Sequence, residues 1–147
     1  MSPNEFISVA TQLLAGDSEG RLRTAVNRAY YGAFHLAREF LSDCGVVVGI
    51  DALAHRNVRW CLANSQDQLI EKAGRLLETL RESRNEADYK LSSTRFVVRS
   101  RASNEVRLAV EISTLLARCQ VDDEKNRVAP QIRAYASKLG LPLRNVP

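Results

Sequence analysis

The sequence predicts an all-α protein, an up-and-down antiparallel bundle of four to five main helices with a short C-terminal helix. Three observations carry this. Apolar residues recur at spacings of three and four through most of the chain, the period of a helix with one buried face. Only seven glycines and four prolines occur among 147 residues, and they are scarce inside the periodic segments. β-Branched alternation is short, and short connections between long helices make neighbours antiparallel. The length fits one domain, large enough to bury roughly 70% of its unfolded surface without metal or disulfide staples. The expected division is a bundle over 1–120, then a C-terminal helix and tail over 121–147.

The elements follow in order. A first helix covers about 4–15, with Phe6, Val9, Ala10, Leu13 and Leu14 on one face. Gly16-Asp17-Ser18 supplies a stop and then an N-cap. A second helix covers about 18–42, where Leu22, Ala25, Val26, Ala29, Tyr30, Ala33, Phe34, Ala37, Phe40 and Leu41 form a stripe wide enough for two neighbours. VVVGI, up to Asp51, is an apolar loop or short extended piece. A third helix over about 51–63 is less regular, with Leu53, Val58, Trp60, Cys61 and Leu62 as its apolar set. A fourth, over about 66–89, repeats Leu69, Ile70, Ala73, Leu76, Leu77 and Leu80. LSSTRFVVRSR lacks periodicity and is placed as a loop. Ser103 is a candidate cap for a fifth helix over about 103–119, with Val106, Ala109, Val110, Ile112, Leu115 and Leu116 inside. A sixth, over about 127–139, stops at Gly140, and LPLRNVP is a tail.

Composition excludes several classes. With 45% hydrophobic and 26% charged residues the chain is ordinary globular protein. No apolar run approaches the ~20 residues of a membrane helix, and the start, MSPNEFISVATQ, has no signal-peptide pattern; a cytoplasmic protein with no membrane partner is expected. Cys44, Cys61 and Cys119 are far apart and form no CxxC pair, and His35 and His55 are the only histidines. Buried free thiols are expected, with no metal site and no cofactor. Glycine-rich phosphate loops, GxSxG and HExxH are all absent. Arginine supplies 17 of the 21 cations. Lys90, Arg95, Arg99, Arg101 and Arg107 face one acid, Glu105, within 90–107, a local excess equal to the whole net charge of +4. Such a stretch is either a solvated loop or a surface for RNA, a nucleotide or an acidic protein.

Two polar faces stand out. On the second helix Thr24, Arg28, Tyr31, His35 and Arg38 are spaced four, three, four, three, so at 100° per residue they fall on one line opposite the apolar stripe. That line suits phosphate binding, self-association or a hydrogen-bonded packing role. Near the end of the fourth helix the phase of Leu77 and Leu80 puts Arg84, Ala87 and Leu91 on the core side, with Arg81 and Asp88 at its border. A buried arginine needs a partner, and Asp88 at i+4 is the natural one. The pair is either a structural brace or an arginine held rigid to face a phosphate.

RLRTAVNRAYYGAFHLAREFL (21–41) and RNEADY (84–89) together resemble the HEPN family, the higher eukaryotes and prokaryotes nucleotide-binding domains. The first segment matches R-x-A-V-x-R-A-Y-Y-x-A-F-H, the second R-x-x-A-D-Y, in the family's order, and the likeness extends over roughly 5–120. The resemblance implies a helical homodimer. It also implies metal-independent ribonuclease activity in many members, often toxins paired with a minimal nucleotidyltransferase antitoxin. Active members carry R-x4-6-H with a polar residue after the arginine. Arg84 matches the arginine and Asn85 the polar residue, but the histidine's place among 89–91 holds Tyr89, Lys90 and Leu91.

Three readings follow. The first is a non-catalytic HEPN dimer binding a nucleotidyltransferase, a nucleotide or RNA through Arg28, Tyr31, Arg84, Asp88, Tyr89, Arg95 and Arg99, with Asn85 shaping the groove. The second is a ribonuclease using Arg84 and Asn85 with a displaced His35. The third is an oligomeric scaffold braced by Arg84 and Asp88. Tyr89, beside the motif, is also a testable target for modification by a nucleotidyltransferase.

Overall fold

A computed structural model describes residues 1–145. The chain forms α1 (Pro3–Leu13), α2 (Glu19–Asp43), α3 (Ala54–Ala63), α4 (Gln68–Tyr89), a 3-10 turn (Arg95–Val97), α5 (Arg99–Arg118) and α6 (Asp122–Lys138). The all-α helical bundle expected from the periodicity is what the chain forms, with no strand among the described residues. No described helix is long and apolar enough to cross a membrane.

The helices group into two units. The first comprises residues 1–35 and 76–112, the second 36–75 and 113 onward. The C-terminal helix therefore shares a unit with 36–75 and 113–120.

In the first unit Ser18 caps α2 as its sequence signal predicts, its hydroxyl accepting from the Arg21 amide at 3.3 Å. The core gathers Leu22, Val26, Ala87, Phe96 and Ala102, with Leu14 packed against it. This packing orders the segment that follows α4. The segment 91–101, expected as a loop, contains the 3-10 turn and the first residues of α5, which begins four residues before the anticipated Ser103. Phe96 is fully buried and Ala102 fills the same cluster, whereas Arg99, Ser100 and Arg101 are exposed. One aromatic thus anchors the turn without leaving a periodic pattern. Leu91 is 76% exposed instead of core-facing, because α4 stops at Tyr89. Val9 and Val110, expected inside, are also exposed.

In the second unit α3 packs on α6. Ala54, Asn57, Val58, Cys61 and Leu62 are the buried face of α3, while Leu53 and Trp60, expected in its apolar set, are 49% and 40% exposed. Asp67 caps α4, accepting from the amides of Leu69 (3.0 Å) and Ile70 (3.1 Å), and also receives Arg127 Nη2 at 2.7 Å. Burial alone would raise the Asp67 carboxyl, but Arg127 and the two amides hold it below the usual carboxylate range. The sixth helix, expected as a short one over about 127–139, spans 17 residues and starts at Asp122. Asp122, Asp123 and Glu124 complement its N-terminal dipole. Pro130 lies on its exposed side while Val128, Ala129, Ile132 and Ala136 are buried.

Helix α6 ends with Gly140 at φ +75, the left-handed conformation that glycine adopts without strain. The segment after it is no free tail. Val46 bridges Leu143, the Val47 amide donates to Pro142 O at 2.9 Å, and Arg144 Nη2 donates to Ser42 O at 2.6 Å. VVVGI thus is a short extended piece at its start. The last two residues of the expected tail, 146 and 147, lie outside the described residues. The three cysteines are buried free thiols, as expected; burial pushes Cys44 up to about 12 and Cys61 to about 11.

Candidate functional site

The site is built in the first unit by three helices. Helix α2 supplies alanines at 25, 29 and 33, all fully buried, so neighbours approach its backbone closely. Gly32 takes this further: a Cβ there would lie 2.7 Å from Ile7 Cγ1 and 3.1 Å from Phe6 Cβ. Its absence lets α1 lay Phe6 against α2. Helix α4 is held by Arg23, whose Nη1 donates to Ala87 O at 2.7 Å and whose Nη2 donates to Ser93 O at 2.9 Å. Longer bonds reach the carbonyls of Glu86, Lys90 and Leu91, and Nε donates to Glu19 Oε1 at 2.8 Å. The last carbonyls of a helix have no intrahelical donor, so Arg23 fixes where α4 ends.

Between these supports lies a cluster of two guanidiniums, one carboxylate and a ring wall. Asn27 Nδ2 donates to Asp88 Oδ2 at 2.8 Å, while Asn27 Oδ1 accepts from Arg28 Nε (2.9 Å) and Nη2 (2.5 Å). Arg84 Nη1 lies 3.7 Å from the same Asp88 oxygen, near enough for ionic attraction but too far for a hydrogen bond. The Arg84 guanidinium lies over Tyr30 at 5.0 Å and Tyr31 at 5.6 Å; that of Arg28 lies over Phe6 at 5.4 Å and Tyr31 at 5.7 Å. Tyr31 therefore borders both cations. His35 extends the wall, 6.4 Å from Tyr31, 5.4 Å from Phe6 and edge-on to Phe34.

The Arg84 side chain is 12% exposed, and its Nε is buried without a hydrogen-bond partner. Leaving a buried donor unpaired costs roughly 1–3 kcal/mol, which the ring contacts offset in part. One carboxylate, already accepting from Asn27, is the counter-ion of Arg84, and Arg28 is tied to it only through Asn27. Planar guanidinium donors of this kind pair with forked anions such as phosphate or carboxylate.

The structure thus brings together Arg28, Tyr31, His35, Arg84 and Asp88 from the sequence candidates. The aromatic content of the Tyr31/His35 line is taken up by contacts within the unit. Asn85, one residue and 100° around the helix from Arg84, has other neighbours. It lines a groove of about 660 Å³ with Thr79, Glu82, Ser83, Lys90 and Arg95. Arg95 is committed to two carboxylates, Glu86 at 3.0 Å and Glu105 at 2.6 Å. The Ser93 hydroxyl and Arg95 hold Glu86 below the usual carboxylate range. Burial raises Glu105 despite Ser83 and Arg95. Arg99 pairs with Asp17, and Tyr89 is 75% exposed. Among the described residues no group of three His, Cys, Asp or Glu could hold a metal ion.

Asn27 and Gly32 were not singled out by the sequence, and Phe6 was expected only on the apolar face of the first helix, not as part of the site. Asn27 carries a usable signal: it is the amide beside Arg28 on the border of an otherwise apolar stripe, four residues after another polar intruder, Arg23. Comparison of the chain with family models, with curated proteins and with solved structures finds no match in any of the three. What the site can do follows from its own geometry.

Proposed function

We propose that this is a HEPN-like protein that binds the phosphate of a nucleotide or RNA between Arg28 and Arg84. The observation that carries the reading is Arg84 itself: a nearly buried guanidinium, walled by Tyr30 and Tyr31, with an unbonded Nε and a counter-ion 3.7 Å away that already accepts from Asn27. The two-motif resemblance supports a homodimer working in a nucleotidyltransferase-linked toxin–antitoxin system. Tyr89, Leu91, Val97 and Val98, exposed just after the motif, are apolar positions that a second copy or a partner could cover.

Calorimetric titration with a nucleoside monophosphate tests it. Binding is expected to weaken at least about tenfold in Arg84→Ala and in Arg28→Ala, the loss of a charge-assisted contact. Equal binding by wild type and Arg84→Ala would sink the reading and leave Arg84 and Asp88 as the brace of a scaffold. Ribonuclease activity is the second reading, favoured by His35 standing in the same ring wall. RNA cleavage in EDTA, lost in both Arg84→Ala and His35→Ala, would establish it; intact RNA alongside nucleotide binding keeps the first.

A further inference from the structure

The second unit carries a surface that the Arg84 site does not use. Trp60, the single tryptophan of the chain, is 40% exposed. Its ring therefore keeps solvent-facing apolar area on which a planar partner could stack. Arg56 lies over the ring at 4.5 Å, and its Nε and Nη2 donate to Asn57 Oδ1 at 3.3 and 3.1 Å. The guanidinium is thereby tethered on one side of the indole. Helix α3, AHRNVRWCLA, contains no acid.

One turn on, Asn64 donates from Nδ2 to Trp60 O at 2.9 Å and opens a groove of about 300 Å³. Its polar lining is Asn64, Gln66, Glu71, Gln131, Tyr135 and Lys138. Three carboxamides, a phenol and an ammonium face one carboxylate. Gln66 holds φ +60, the left-handed region that a glutamine adopts only at a cost. The chain keeps a strained residue at the place where its side chain lines the groove. Close packing fixes the surroundings: a Cβ on Gly74 would sit 3.1 Å from Leu62 Cβ and 3.2 Å from the Ala63 amide.

We propose that this face binds single-stranded nucleic acid, stacking an unpaired base on Trp60 and receiving the adjoining nucleotide in the carboxamide groove. A carboxamide offers a donor and an acceptor side by side, the pattern of a base edge. Aromatic stacking joined to a cationic track is how proteins hold unpaired strands. Arg56 and Lys138 supply the phosphate contacts.

The lone tryptophan makes the test direct. A ten-nucleotide single-stranded RNA is titrated into the full chain while Trp60 fluorescence is followed. Quenching by half or more is expected, with little from the same sequence as a duplex and little from polyphosphate. Fluorescence anisotropy of labelled RNA should show about tenfold weaker binding in Trp60→Ala, the loss of one stacked base. Lys138→Ala should weaken binding severalfold and flatten its salt dependence. Gln66→Gly removes the carboxamide at a φ glycine tolerates, so it keeps the fold and also weakens binding. Quenching should persist in Arg84→Ala, which separates this site from the phosphate site. Absent quenching, equal quenching by polyphosphate or by polyglutamate, or quenching abolished by Arg84→Ala would each overturn the proposal.

Discussion

Two arginines on facing helices of the first unit, Arg23 buried and Arg84 nearly so, differ in one respect. Arg23 spends its guanidinium on carbonyls at the end of α4 and on Glu19. Arg84 lies over two tyrosines with an unbonded Nε and a carboxylate 3.7 Å away that already serves Asn27. Both sit where a charge is costly. The first is repaid by the fold. The second is repaid only in part, and an incompletely satisfied buried cation is the better candidate for a ligand site. Burial of an arginine therefore says little until its donors are followed to their acceptors.

The comparison is broken most severely at Arg23. Arg23→Ala strands the carbonyls of Ala87, Lys90 and Ser93 and frees the segment that follows α4. Breaking a buried charged network costs about 3–5 kcal/mol, or on the order of 10 °C in Tm for a chain of this size. Thermal unfolding by circular dichroism checks this. Arg23→Lys should recover little, because one ammonium cannot reproduce the spread of the fork. A loss under about 1 kcal/mol would mean that Arg23 does not set the end of α4.

Asp67 and Arg127 form an intermediate case, a buried carboxylate meeting a mostly exposed arginine. The Asp67 pKa is lowered in the fold. Its stabilising contribution is therefore fully present above the unfolded value near ~4 and is lost as pH falls through the lower folded value. Urea midpoints should decline as pH is lowered through that window, and less so in Asp67→Asn. Asparagine keeps the helix cap but loses the charge and the hydrogen bond from Arg127, which is half exposed, so at pH 7 the variant should lose about 1 kcal/mol. Midpoints of wild type and variant that fall in parallel would remove Asp67 from the acid limb.

What the sequence disclosed follows the range of the interactions. The stripe of α2 and the core phase of α4 were legible because their burial repeats every three or four residues. Arg84 and Asp88 were legible for the same reason, as charges interrupting that repeat. Asn27 was not, since its partner Asp88 lies 61 residues away. Nor was the anchoring of the last segment, where Arg144 reaches Ser42 across 102 residues. Long-range pairing of single polar groups leaves no periodic trace. The early start of α5 was hidden because its first turn is exposed arginine and serine, with Phe96 the sole hint of a buried turn.

The smallest effect on stability is expected at Arg84, and it sharpens the comparison most. Arg84→Met keeps an unbranched side chain against Tyr30 and Tyr31 and removes the unpaired Nε and its charge. Replacing a poorly satisfied buried ion by an apolar group of similar volume is often neutral or stabilising. The Tm should therefore move by no more than about 3 °C in either direction, equivalent to ~1 kcal/mol. Asp88 still accepts from Asn27 at 2.8 Å, so it is not orphaned. Nucleotide binding should fall with this variant as it does with Arg84→Ala, although the rings remain covered. Stability and binding would then separate at Arg84 while stability alone fails at Arg23. If Arg84→Met unfolds the protein as readily as Arg23→Ala, Arg84 and Asp88 are a brace after all, and the difference in their donors has no functional meaning.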